Sequence, residues 1–159
     1  GPDLIKLMIT GGVLDAEVPG EPGVLKMPPE YVKAACEEAH KAGLKVAAHV
    51  EGAEGLKVAL ENGVDTIEHG GKPSPEIIEL FKKTGAALVA TISPAIPFAA
   101  IKEPAYGIDE VGIINGKALF ANMKECIKQC LENGVTLKFP GAFNKELLAK
   151  IVTLLEEKK

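Results

Sequence analysis

Glu37-Glu38-Ala39-His40-Lys41-Ala42-Gly43-Leu44-Lys45-Val46-Ala47-Ala48-His49-Val50 reads as the end of an amphipathic helix, a helix-ending glycine and a short buried strand. The unit Tyr31 to Ala42, Gly43, Leu44 to Val50 then recurs. Gly52 to Asn62 leads through Gly63 into Val64 to His69, and Pro75 to Thr84 leads through Gly85 into Ala86 to Ser93. Ile113 to Asn133, Gly134 and Val135 to Phe139 make a further copy, and Glu-Asn-Gly-Val occurs at both 61–64 and 132–135. Each glycine supplies the left-handed residue that ends a helix. Repeated helix–glycine–strand units with short connections require right-handed βα crossovers and a parallel sheet. With Leu4 to Thr10 in front and Lys145 to Glu157 behind, the pattern predicts an α/β fold of about five βα units.

Composition narrows the function classes. In 159 residues, 47 % are hydrophobic and 25 % charged, the balance of a globular domain with a sizeable core. Aromatics are only 4 % and Trp is absent, so Leu, Ile, Val and Ala must build that core. The net charge of −4 and the interleaving of Lys with Glu argue against nucleic acid or an anionic membrane as partner. No apolar run reaches membrane-span length, the opening residues lack a signal-peptide layout, and a cytoplasmic location is expected. Cys36, Cys126 and Cys130 have no metal-finger spacing and read as half-buried free thiols.

Chemistry-bearing side chains gather at one end of the strands. Lys6, His49 and His69 each sit near the C-terminal end of a predicted strand, where parallel α/β sheets converge on ligands. Strand alternation puts Leu4, Lys6 and Met8 on one face, Ala47 with His49, and Ile67 with His69. Two loops, Gly11 to Pro29 with four Gly and four Pro, and Pro94 to Gly112 with three Pro, follow strands and are placed to build or cover a site. Of the two acids flanking the histidines, Glu51 reads as a solvated carboxylate. His40, mid-helix beside Lys41, reads as exposed. Gly11-Gly12 lacks a phosphate-loop pattern and Ser93 lacks a nucleophile-elbow context.

The runs Asp3-Leu4-Ile5-Lys6-Leu7-Met8-Ile9-Thr10-Gly11-Gly12-Val13, Glu38 to His49 and Gly63-Val64-Asp65-Thr66-Ile67-Glu68-His69-Gly70 resemble the amidohydrolase superfamily. The likeness is to its imidazolonepropionase-like and Xaa-Pro dipeptidase-like branch. It covers residues 1–135, in the order and spacing of that family's motifs, and implies barrel strands four to seven, a half TIM barrel. It further implies that Lys6 is carbamylated and that, with His49 and His69, it binds zinc, whose activated water hydrolyses amide, ester or cyclic amide bonds. A lysine ammonium offers no lone pair, so only its carbamate could be a ligand.

The chain also departs from the family. No His-Xaa-His occurs, and where the family's last strand ends in a catalytic aspartate this chain reads Val135-Thr136-Leu137-Lys138-Phe139-Pro140-Gly141-Ala142-Phe143. Its aspartates are Asp3, Asp15, Asp65 and Asp109, none at a predicted strand's C-terminal end. Residues 136–159, in which Lys138-Phe139-Pro140 resembles the last strand–helix unit of receiver domains, are expected to be an altered or engineered terminal unit. Poor hydrolysis, or a non-catalytic chimeric half-barrel scaffold, is the corresponding expectation for function. An uncovered inward face carrying Leu4, Met8, Ala47, Ile67, Leu88 and Ala90 predicts a homodimer through that concave face, or pairing with a complementary half-barrel.

Overall fold

The computed structural model describes residues 1–104 and 107–138, with only the backbone of Phe98 and Ala99. Five parallel strands lie in chain order: β1 (Leu4–Met8), β2 (Lys45–Val50), β3 (Thr66–His69), β4 (Ala87–Val89) and β5 (Leu137–Lys138). Between them run α1 (Pro29–Lys41), α2 (Ala53–Glu61), α3 (Pro75–Thr84), α4 (Ala95–Ala100) and α5 (Glu110–Glu132). The sheet is open, so this is a partial TIM barrel. The expected α/β repeat is present, and Gly43, Gly63, Gly85 and Gly134 all adopt positive φ, at 73°, 95°, 71° and 71°. No helix among the described residues is long and apolar enough to cross a membrane. The expected helix Lys145 to Glu157, and all of the terminal unit after Lys138, lie outside the described residues.

Sheet register corrects the expected face assignment. Ala48 aligns with Leu7 and Ile67, and Ile67 with Leu88, while His49 aligns with Met8 and Glu68. Ile67, Leu88 and Ala90 therefore join Val46, Ala48 and Val50 in the core under the helices, packed with Leu56, Leu60, Phe81 and Ile127. The open face carries Leu4, Lys6, Met8, Ala47, His49 and Glu68 instead, and is more polar than expected. Only Leu4 and Met8 are large exposed apolar side chains on it, at 48 % and 55 %. The misassignment came from extending strand alternation through His69, where the backbone abandons it.

Both long loops contain structure that their turn residues concealed. The first holds a short 3₁₀ turn, Val13–Asp15, and returns to the sheet through a bridge between Thr10 and Leu25. The second contains α4. Asp109 caps α5, its carboxylate accepting from the Gly112 amide at 2.8 Å. Cys126, Ile127 and Cys130 of α5 enter the main core, whereas Leu119 and Met123 pack with Val13 and Ala95 in a second cluster. Buried Asn115 ties the first loop to this helix, accepting from the Gly20 amide at 2.6 Å and donating to the Val18 carbonyl at 3.1 Å.

At the opposite end of the sheet, Asp65 joins α1, β2 and β3. It accepts from Lys45 Nζ at 2.6 Å and the Val46 amide at 2.8 Å, and contacts His40 Nε2 at 2.8 Å. Burial raises the Asp65 pKa, but these partners outweigh it and hold the group below its ordinary value. Its contribution to stability is therefore present above the unfolded-state pKa of about 4 and is lost as pH falls through the lower folded value. Asp65→Ala should cost about 1–3 kcal/mol at pH 7, a difference that shrinks on acidification. Urea denaturation at pH 7 and pH 3 measures both.

Candidate metal centre

β2 delivers His49 at its penultimate position and Glu51 one step past its end, two residues apart and so on one side. His69 closes β3 by a different route. Paired with Val50, it would point into the helix-side core if the strand continued. Instead its φ is 73°, the one positive φ at a non-glycine among the described residues. The Gly70 amide donates back to the Glu68 carbonyl at 3.0 Å, which makes a γ-turn centred on His69. This turn is rare and strained, and it swings the imidazole to the open side. The His49 and His69 rings meet edge to face, with centroids 4.6 Å apart and planes at 69°.

Neighbouring groups fix each member. Thr91 Oγ1 lies 2.5 Å from His69 Nδ1, leaving Nε2 of that ring for another partner. His49 Nε2 lies 3.3 Å from the Gly11 carbonyl and 3.9 Å from Glu51 Oε1. Glu51 Oε2 accepts from the Val13 amide at 3.0 Å, and the Glu51 amide donates to Thr10 Oγ1 at 3.0 Å. A Cβ on Gly12 would meet Glu51 Oε2 at 3.3 Å and His49 Nε2 at 3.5 Å, so only glycine lets this loop close over the pair without crowding. One nitrogen or oxygen from each of His49, Glu51 and His69 lies within 4.8 Å of the others, a group that could hold a metal ion. They line a cleft of about 550 Å³ with Thr91, Met8, Val13, Leu119 and Met123.

Burial sets the charges here. It lowers the His69 pKa to about 4, helped by the neighbouring His49 and Lys6. His49 is lowered for the same reason, with Lys6 adding to burial and the Gly11 contact opposing it. Both rings are therefore neutral near pH 7, the form that binds metals. Glu51 is pushed up to about 7, by burial first and by Asp15, against the hydrogen bond from Val13.

Lys6 lies on the same open face, but its partner is Glu68: Nζ to Oε2 is 2.5 Å. In register, Lys6 is level with Ala47 and Glu68 with His49, so the lysine reaches diagonally over the small Ala47 side chain. His49 and His69 are thus together, with Lys6 nearby and salt-bridged. Glu51 is the residue that sequence reasoning misjudged. It is 7 % exposed, not solvated, because the first loop folds over it. The His-Val-Glu spacing could have revealed it, as could the alternation of Val89 and Thr91 for Thr91. His40 is partly exposed but paired with Asp65. The three thiols are fully buried, not half-buried; burial pushes Cys36 up to about 11, and the Cys130 contact, followed by burial, raises Cys126 far above the ordinary thiol range.

No family model matches the chain. Ochratoxinase of Aspergillus niger is 36 % identical over 93 residues, which are 58 % of this chain and 19 % of that protein. Its crystal structure superposes with a TM-score of 0.74 at 29 % identity, covering 87 % of this chain and 31 % of the other. A Xaa-Pro dipeptidase with methionine bound in its active site gives a TM-score of 0.78 at 30 % identity, covering 99 % of this chain and 39 % of its own. These neighbours belong to the amidohydrolase superfamily, and this chain shares their fold over most of its length. It spans about a fifth of the curated relatives' length and between 31 % and 39 % of the two solved chains.

A raised carboxylate pKa predicts the sign of a pH effect. The unfolded Glu51 ionises near pH 4, the folded one near 7, so its ionisation erodes stability as pH rises through that interval. Glu51→Gln removes this penalty. With a chelator present, its stability relative to wild type should rise between pH 5 and pH 8 by on the order of 2–3 kcal/mol. Urea denaturation at the two pH values checks this, and a pH-independent difference would contradict it.

Proposed function

We propose that this chain carries one metal position of an amidohydrolase-type hydrolase, with zinc as its ion. The observation that carries the reading is the pair of neutral imidazoles, 4.6 Å apart at the C-terminal ends of adjacent parallel strands. In this reading His49 and His69 are ligands and Lys6, as its carbamate, is a third. To become one, Lys6 must leave Glu68 and give up a proton, and the amine must then add carbon dioxide with release of a second proton. When bound at such a site, zinc supplies Lewis acidity toward a carbonyl and activates water near neutral pH. Thr91 holds the His69 ring through Nδ1, and the apolar wall of Val13, Leu119 and Met123 favours an amide or ester with an apolar substituent.

Turnover by these 159 residues should be weak. Among the described residues no aspartate stands at the C-terminal end of a strand to handle protons, and general acid–base catalysis typically contributes about 10²–10⁴-fold. That feature equally supports a second reading, a metal-binding half-barrel that serves as a non-catalytic scaffold.

Zinc affinity should fall strongly in His49→Ala and in His69→Ala; tight binding surviving both substitutions would move the site elsewhere. Rapid amide or ester hydrolysis abolished by a chelator would reject the weak-turnover expectation. We also propose that the open face, where Leu4 and Met8 are exposed, packs against a second copy. Light scattering that gives a monomer at high concentration would remove that proposal.

A further inference from the structure

We infer that Glu51 is itself a metal donor, so that His49, Glu51 and His69 form a three-donor site for a borderline divalent ion that is complete without Lys6. The inference rests on the reading above that His49 and His69 bind a metal, and puts Glu51 in place of the Lys6 carbamate as the anionic ligand. Three observations carry it.

The first is which atoms are engaged. Glu51 Oε2 is taken by the Val13 amide at 3.0 Å, which anchors the planar carboxylate and leaves Oε1 toward the histidines. Oε1 is the oxygen that lies 3.9 Å from His49 Nε2. His69 has its Nδ1 at Thr91 and retains Nε2. His49 presents Nε2 on this side, where it now meets the Gly11 carbonyl at 3.3 Å, a contact that an ion would replace. Glu51 and His69 thus each keep one donor atom for an ion and use another for their own positioning, the arrangement that orients ligands in metal sites generally.

The second is spacing. Zinc bonds of about 2.0–2.2 Å at tetrahedral angles put neighbouring ligands about 3.4 Å apart. The donors here lie within 4.8 Å of one another, and the His49–Glu51 pair at 3.9 Å. Small side-chain rotations would close the difference, and the cleft that all three residues line would leave room for a further ligand. Two nitrogens and one carboxylate oxygen favour zinc or cobalt over magnesium or calcium, which demand mostly oxygen.

The third concerns Lys6. Its ammonium is held at 2.5 Å by Glu68. A site that depended on Lys6 would have to break this pair first. Glu51 is a carboxyl group already placed beside both rings, with no side-chain ion pair to break.

The test is titration of the purified 159-residue chain with Co²⁺, followed by visible d–d absorption, and with Zn²⁺ by calorimetry. Buffer purged of carbon dioxide is compared with buffer containing bicarbonate. Wild-type protein should bind one ion with similar affinity in both, and Glu51→Gln should weaken binding at least about tenfold while retaining the Val13 hydrogen bond through its amide oxygen. Should Glu51→Gln fail to fold, Glu51→Asp, one methylene too short, should show a comparable loss, and wild-type affinity in it would overturn the inference. Binding that requires bicarbonate, is lost in His49→Ala and is unchanged in Glu51→Gln would make Lys6 the anionic ligand; the inference would fail and the metal-binding reading would stand. No binding by wild type under either condition, or near-ultraviolet thiolate-to-cobalt bands placing the ion on a cysteine, would overturn both.

Discussion

The γ-turn at His69 is the constraint on which the site depends. Alternation along β3 hands Ile67 to the core and Glu68 to the open face, and the next side chain should return to the core beside Val50. One left-handed residue cancels that step. Such a conformation costs a non-glycine residue on the order of 1–3 kcal/mol. The Gly70 amide offsets part of this by bonding both the Val50 and the Glu68 carbonyls, each at 3.0 Å. Without the turn, His69 would be a buried polar residue in an apolar layer, and His49 would have no imidazole beside it.

The two ends of the sheet divide the work. Asp65 and its partners, among the starts of the strands, bind α1, β2 and β3 together through exposed or half-exposed charges. The C-terminal ends hold the strained backbone, the buried acid and the depressed histidines. There the first loop presses close: Gly23 meets the backbone at Gly52, and Gly71 packs against Gly52 in turn, contacts that a Cβ on any of them would break. These approaches exclude water from Glu51, and that exclusion shifts its ionisation. Strain and desolvation concentrated at one end of a sheet whose other end is conventionally paired is the distribution expected of a functional site.

α5 links the two. Its C-terminal part contributes Cys126, Ile127 and Cys130 to the core, and its middle walls the cleft with Leu119 and Met123. Asn115 fastens the first loop to the same helix, so the loop over Glu51 is tied to the far wall of the cleft.

The sequence by itself determined the repeat. Periodicity and helix-ending glycines depend on neighbours along the chain, which is why the strand order, the parallel direction and the positions of His49 and His69 were legible in it. Lys6, Met8 and His49 could be put on one face by counting, because the backbone there is regular. Counting failed at His69, where a single positive φ reversed the facing of the ring, and with it the assignment of Ile67, Leu88 and Ala90. It failed also for Glu51 and Lys6, whose states depend on residues distant in the chain: Val13 and Gly12 bury the first, 38 and 39 positions away, and Glu68 pairs the second, 62 away. Burial and ion pairing are properties of what folds against a residue, so only the tertiary structure decided which carboxylate faces the histidines and which one holds the lysine.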